Sequence, residues 1–170
     1  MTLCSFNLSQ ALFRRFERFS SSEDLELSLE GKFCNSSYPG NSHIIPLSLD
    51  LVSKALAARS RMKDSPEDLD QAIEIGKRAV HLCPVTDSRI CGIIDGLGTT
   101  ILTRFERTGN LTDLTEAIDH YLAALSRHET NPQVAFIHAL LCHAYRLRSD
   151  RPAQLTILTA QLLEVHWRRN

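Results

Sequence analysis

An Asp-Leu pair recurs at Asp24-Leu25, Asp68-Leu69 and Asp113-Leu114, spaced by 44 and then 45 residues. The flanks repeat with it. Arg15-Phe16-Glu17-Arg18 starts nine residues before Asp24, and Arg104-Phe105-Glu106-Arg107 starts nine before Asp113. Each pair also opens the same apolar step of four residues: Leu25/Leu29, Leu69/Ile73 and Leu114/Ile118. A period in the forties with helical spacing implies helix pairs, each burying its apolar face on the next. The spacing predicts an all-α chain of about four stacked antiparallel hairpins, over 7–35, 46–82, 87–127 and 131–168, with a connection at 35–46. Residues 103–119 show the unit best: the end of one helix, a tight turn at Gly109-Asn110, and the start of the next.

Helix starts support these boundaries. Ser21 or Ser22, Ser65 before Pro66, and Asn110 are N-cap residues, and acids follow where the helix dipole favours them. Asn131-Pro132 and Asp150-Arg151-Pro152 open two further helices. Expected inner stripes are Leu8, Leu12, Phe16 and Phe19; Leu49, Val52, Leu56 and Ala57; Leu69, Ile73, Gly76 and Val80; Leu114, Ile118, Tyr121, Leu122 and Leu125; Val134, Ile137, Leu141 and Tyr145; and Leu155, Leu158, Leu162 and Val165. The stretch 87–108 carries Gly92, Gly96 and Gly98, each unfavourable in a free helix by roughly 1 kcal/mol. The repeat makes it a helix nonetheless, with Gly98 placed where two helices of a pair touch. Gly92 and Gly96 read first as close helix–helix packing, with close approach by a neighbour or ligand as the alternative.

On these residues the chain resembles a known family. Ala72-x3-Gly76-x2-Ala79-x4-Pro84 and Ala117-x3-Tyr121-x2-Ala124 resemble the second-helix pattern of tetratricopeptide repeats, and Leu97-Gly98-x2-Ile101 resembles the small-residue step of their first helix. The phrase at 103–119 is similar to a lengthened variant found in large fungal proteins, often ahead of a caspase-like CHAT domain or beside a nucleotide-binding module. The resemblance is clearest over 65–127 and extends to 8–34. It implies a right-handed superhelix whose first helices line a concave groove, here showing Asp50, Lys54, Asp95, Thr99, His143 and Arg146. The chain departs from the family in its longer first helices and in lacking a Pro soon after Ala124.

Composition restricts function further. A net charge of −1 gives no global attraction for nucleic acid or an anionic membrane. No apolar run reaches spanning length. The five cysteines, Cys4, Cys34, Cys83, Cys91 and Cys142, are scattered without a C-x-x-C pair, which suggests reduced thiols in a cytoplasmic setting. Residues 1–16 loosely resemble a mitochondrial presequence, but they align with 97–107 of the repeat and read as its first helix.

No motif for a catalytic serine, a phosphate loop or a zinc protease is present. His138 and Cys142 share a helix face without the further ligands zinc requires, so no metal or cofactor is expected, and Cys142 reads as buried. The arginines near the ends of the first helices read as partners of helix dipoles. The expectation is a non-enzymatic scaffold or sensor module that binds a protein or peptide through the groove. The alternative is a non-catalytic regulatory fragment of a larger CHAT-type protease or nucleotide-dependent receptor. Since no polar capping helix follows the last stripe, self-association through the C-terminal helix is a further expectation.

Overall fold

Residues 2–30, 44–84, 86–127 and 134–149 are described by a computed structural model of the chain. They form helices α1 (Thr2–Phe19), α2 (Ser22–Glu30), α3 (Ile44–Lys63), α4 (Pro66–Leu82), α5 (Ile90–Thr108), α6 (Leu111–Arg127) and α7 (Val134–Ser149), with no strand among them. The all-α expectation therefore holds. Each odd helix folds back on the next even one, giving hairpins α1/α2, α3/α4 and α5/α6, and each hairpin packs on its neighbour. The 35–46 connection falls largely, and the last stripe with its expected self-association wholly, outside the described residues.

The three hairpin turns share one design. Ser20, Asp64 and Gly109 stand at the repeat spacing, and all three are left-handed, with φ of 54°, 52° and 71°. The Ser20 and Gly109 amides each donate to the carbonyl four residues back, at 2.7 Å. This closes the first helix and reverses the chain. The next residue then caps the second helix. Ser21 Oγ accepts from the Asp24 amide (3.3 Å), Ser65 Oγ from the Asp68 amide (3.2 Å), and Asn110 Oδ1 from the Thr112 amide (3.1 Å).

So short a turn places residue i of the first helix beside residue i+9 of the second. In all three hairpins this joins an arginine to a buried aspartate. Arg15 Nε and Nη2 donate to Asp24. Arg59 Nε and Nη2 reach Asp68 at 2.7 Å each, and Arg104 Nε and Nη2 reach Asp113 at 3.0 and 2.8 Å. The same guanidinium also ties one hairpin to the one before. Arg59 Nη1 donates to Glu26 of α2 (3.2 Å), and Arg104 Nη1 to Asp70 of α4 (3.0 Å). Both acids lie two residues after the preceding hairpin's own aspartate. The arginines thus act as partners of carboxylates, which corrects the reading of them as dipole partners. A planar fork with donors on two edges suits this double duty, and an ammonium does not. Arg107 adds another cross-tie, from α5 to Asp64 and to Ser60 Oγ (2.8 Å).

The core follows the repeat. Leu25, Leu69 and Leu114 are buried at equivalent places, as are Leu29, Ile73 and Ile118. One cluster joins α1 through α4 and a larger one joins α4 through α7, with neighbouring residues Ala72 and Ile73 of α4 belonging to one each. Gly98 sits where a Cβ would lie 2.8 Å from Cε1 of the buried Tyr121 ring, so the close helix contact expected there is present. Some stripe assignments need correction. Leu8 and Phe19 are exposed, because α1 turns Ser9 and Phe13 inward instead, and Leu122 is also exposed. Cys142, read as buried, is exposed beside the equally exposed His138. The third first-helix starts at Ile90, after a turn in which Asp87 Oδ1 accepts from the Arg89 amide at 3.0 Å.

Candidate functional site

Helices α3 and α5 run side by side as first helices of adjacent hairpins. Asp50 and Lys54 are one turn apart on α3, so they share a face. Lys54 Nζ donates to Asp50 Oδ2 at 2.6 Å. Opposite them α5 presents Asp95 and Gly96. A Cβ at Gly96 would stand 2.7 Å from Lys54 Cε and 3.2 Å from Asp50 Oδ1. The missing side chain is therefore what admits the lysine stem against the α5 backbone. This accounts for a glycine that the repeat alone did not explain.

Two carboxylates now share one ammonium. Lys54 serves Asp50, whereas Asp95 Oδ1 is buried and has no hydrogen-bond partner. Burial pushes the Asp95 carboxyl up to about 6; the Asp50 charge adds to the rise and Lys54 opposes it. Burial raises Asp50 as well, against the pull of Lys54. A buried carboxylate oxygen without a partner is costly in a folded chain and is unusual outside functional positions. One turn further along α5, Thr99 Oγ1 lies 3.4 Å from the Tyr121 hydroxyl, whose pKa burial raises to about 12. The Tyr121 phenol stays protonated, so it can donate or accept a hydrogen bond at this edge.

The remaining two candidates stand elsewhere. His143 Nε2 is 3.2 Å from Glu106 Oε1, and Arg146 Nη2 is 3.1 Å from His143 Nδ1. Glu106 is seven residues beyond Thr99 on α5, roughly 10 Å along the helix axis. The six residues thus divide into Asp50–Lys54–Asp95–Thr99 between α3 and α5, and His143–Arg146 with Glu106 between α5 and α7. Sequence reasoning marked Gly96 for a close approach but missed Tyr121 and Glu106 as members. Glu106 was within reach, because it lies inside the repeated Arg-Phe-Glu-Arg phrase.

The α3/α5 cluster can accept a hydrogen-bond donor or a cationic side chain at Asp95. Among the described residues no group of three His, Cys, Asp or Glu side chains is placed to hold a metal ion, and no helix is long and apolar enough to cross a membrane. No protein-family model and no curated protein matches the chain. What fold and site define is a class: an all-α stack of helical hairpins with an electrostatically unbalanced carboxylate pair between two first helices.

Proposed function

We propose that the chain is a protein–protein interaction module that binds an extended segment of a partner along the surface lined by α3, α5 and α7. The hairpin array and the likeness of 65–127 to tetratricopeptide repeats support this reading. On this reading the chain works in the cytoplasm, where the scattered cysteines would stay reduced. The observation that carries it is Asp95, whose buried Oδ1 lacks a donor. A lysine or arginine head of the bound segment would pair with the Asp95 carboxylate through the part of the side chain that stays accessible. His143 and Arg146 then provide a second, weaker contact toward α7. Affinity on such a surface comes from a few anchors, not from net charge.

Affinity capture tests this with the wild type, Asp95→Asn, and a Lys54→Ala/His143→Ala/Arg146→Ala triple variant, each shown to be folded by circular dichroism. Partners recovered with the wild type are re-assayed as purified proteins. The reading expects at least a tenfold loss of affinity in both variants, as removal of one or two anchors produces. Identical partners bound with unchanged affinity would remove the groove from consideration.

A further inference from the structure

The repeat alignment places Leu8, Ala11, Leu12 and Arg15 of α1 on the face that α3 and α5 turn toward the preceding hairpin. In the interior that face is covered. Val52 (8% exposed), Ala55 and Leu56 of α3 share a core cluster with Leu25 and Leu29 of α2. Leu97 of α5 (1% exposed) lies against Gly76 of α4. On α1 the equivalent Leu8 is 61% exposed, and Ala11, whose counterpart Ala55 is buried, is exposed as well. The arginine follows the same pattern. Side chains of Arg59 and Arg104 are 23% and 25% exposed, and each Nη1 donates to the preceding hairpin's acid. The Arg15 side chain is 59% exposed, with Nε and Nη2 on Asp24 and no acceptor for Nη1 among the described residues.

We propose that this outward face of α1 docks an amphipathic helix of a partner protein that carries an acid immediately after a buried aliphatic residue, with a second aliphatic residue three positions further on. The chemistry is that of the two helices that cover the equivalent faces inside the array: Leu25-Glu26-x-x-Leu29 and Leu69-Asp70-x-x-Ile73. The aliphatic pair would cover Leu8 and Ala11, and the carboxylate would take the free edge of Arg15. This surface is separate from the groove proposed above, since it belongs to α1 alone.

The probe is a fluorescein-labelled peptide of residues 65–82, stapled across the exposed positions 74 and 78, because an isolated helix of that length is marginal in water. Its anisotropy is followed on titration with the full chain. Saturable one-to-one binding is expected. It should weaken roughly tenfold when the peptide carries Asp70→Lys, one partly exposed ion pair exchanged for a repulsion. It should disappear with Leu8→Glu in the protein, an exposed position where the fold is retained and circular dichroism checks it. Lack of saturable binding, or binding indifferent to both changes, overturns the proposal. Sedimentation velocity supplies the other arm: a concentration-dependent dimer abolished by Leu8→Glu would mean that a second copy takes this face, and would overturn the partner helix.

Discussion

Asp95→Asn should stabilise the protein at neutral pH, although it removes a charged residue from an ion cluster. In the native state the Asp95 carboxyl titrates at about 6, against 3.8 when unperturbed, chiefly because of burial. A carboxyl raised in this way opposes folding whenever it is ionised. Between 3.8 and about 6 the native state holds a proton that the unfolded chain has released, so stability falls as pH rises through that window and is level above it. At about 1.4 kcal/mol per pH unit, the interval is worth about 3 kcal/mol at most. Part of the Asp95 side chain remains in water, and screening reduces this to about 1–2 kcal/mol. Asparagine keeps the shape and leaves Lys54 and Asp50 as a closed pair. Thermal melts at pH 7 should show a gain of about 2–8 °C for a chain of this size. The informative measurement is the difference between wild type and variant in urea unfolding from pH 3.5 to 8. It should be near zero at the acid end, grow between pH 4 and 6, and then stay constant. A difference independent of pH, or a loss of stability at pH 7, would refute the burial argument for Asp95.

Three further outcomes follow from the packing. Gly98→Ala should destabilise by about 1–2 kcal/mol in urea unfolding, because the 2.8 Å approach to the buried Tyr121 ring outweighs the gain in helix propensity; Gly96→Ala should cost less than Gly98→Ala, since the closest atom it meets belongs to the flexible Lys54 side chain, although the shift strains the Lys54–Asp50 pair. Arg104→Ala should cost about 3 kcal/mol, because it strands the buried Asp113 carboxylate; adding Asp113→Asn should recover part of the loss, and a single-variant cost below about 1 kcal/mol would contradict the pairing. Ser20→Gly should raise the urea midpoint by the equivalent of about 1 kcal/mol, relieving a left-handed residue whose counterpart in the third hairpin is already Gly109.

The helix pairing was legible because it depends on period. Leu25, Leu69 and Leu114 recur on schedule, as do the caps Ser21, Ser65 and Asn110, and each states its role by position alone. The arginine ladder was half legible. Arg15 and Arg104 lie nine residues before Asp24 and Asp113, but the middle copy is hidden. There Ser60 stands where Phe16 and Phe105 stand in the others, so Arg59 reads only as one of several basic residues at the helix end. Reading the arginines as dipole partners used the right helix ends and the wrong acceptor. What decides the acceptor is the two-residue turn, which folds position i onto i+9, and such contacts depend on turn geometry that helical periodicity does not encode. The exposure of Leu8 and Phe19 was not legible at all. Apolar residues lie on two sides of α1, and only packing selects Ser9 and Phe13 for the interior.

The carboxylates on the described helices separate architecture from site. Asp24, Asp68 and Asp113 sit at the starts of second helices, each carboxylate held by a fork of two guanidinium donors; in two cases the aspartate's own backbone amide donates to the capping serine hydroxyl. Hydrogen bonds from Arg15 hold the Asp24 carboxyl below its ordinary range, as expected of a group the fold uses in its charged form. Asp50 and Asp95 are displaced in the opposite direction by burial, with one lysine between them. Nothing in the hairpin geometry requires that imbalance. A hydrophobic or amide side chain at position 95 would pack against α3 without stranding a charge, as the covered first-helix faces elsewhere in the array do. A chain that pairs its repeated acids so thoroughly, and leaves a carboxylate oxygen of Asp95 without a donor, carries a cost at that position. That contrast is why we propose the junction of α3 and α5 as the interaction surface.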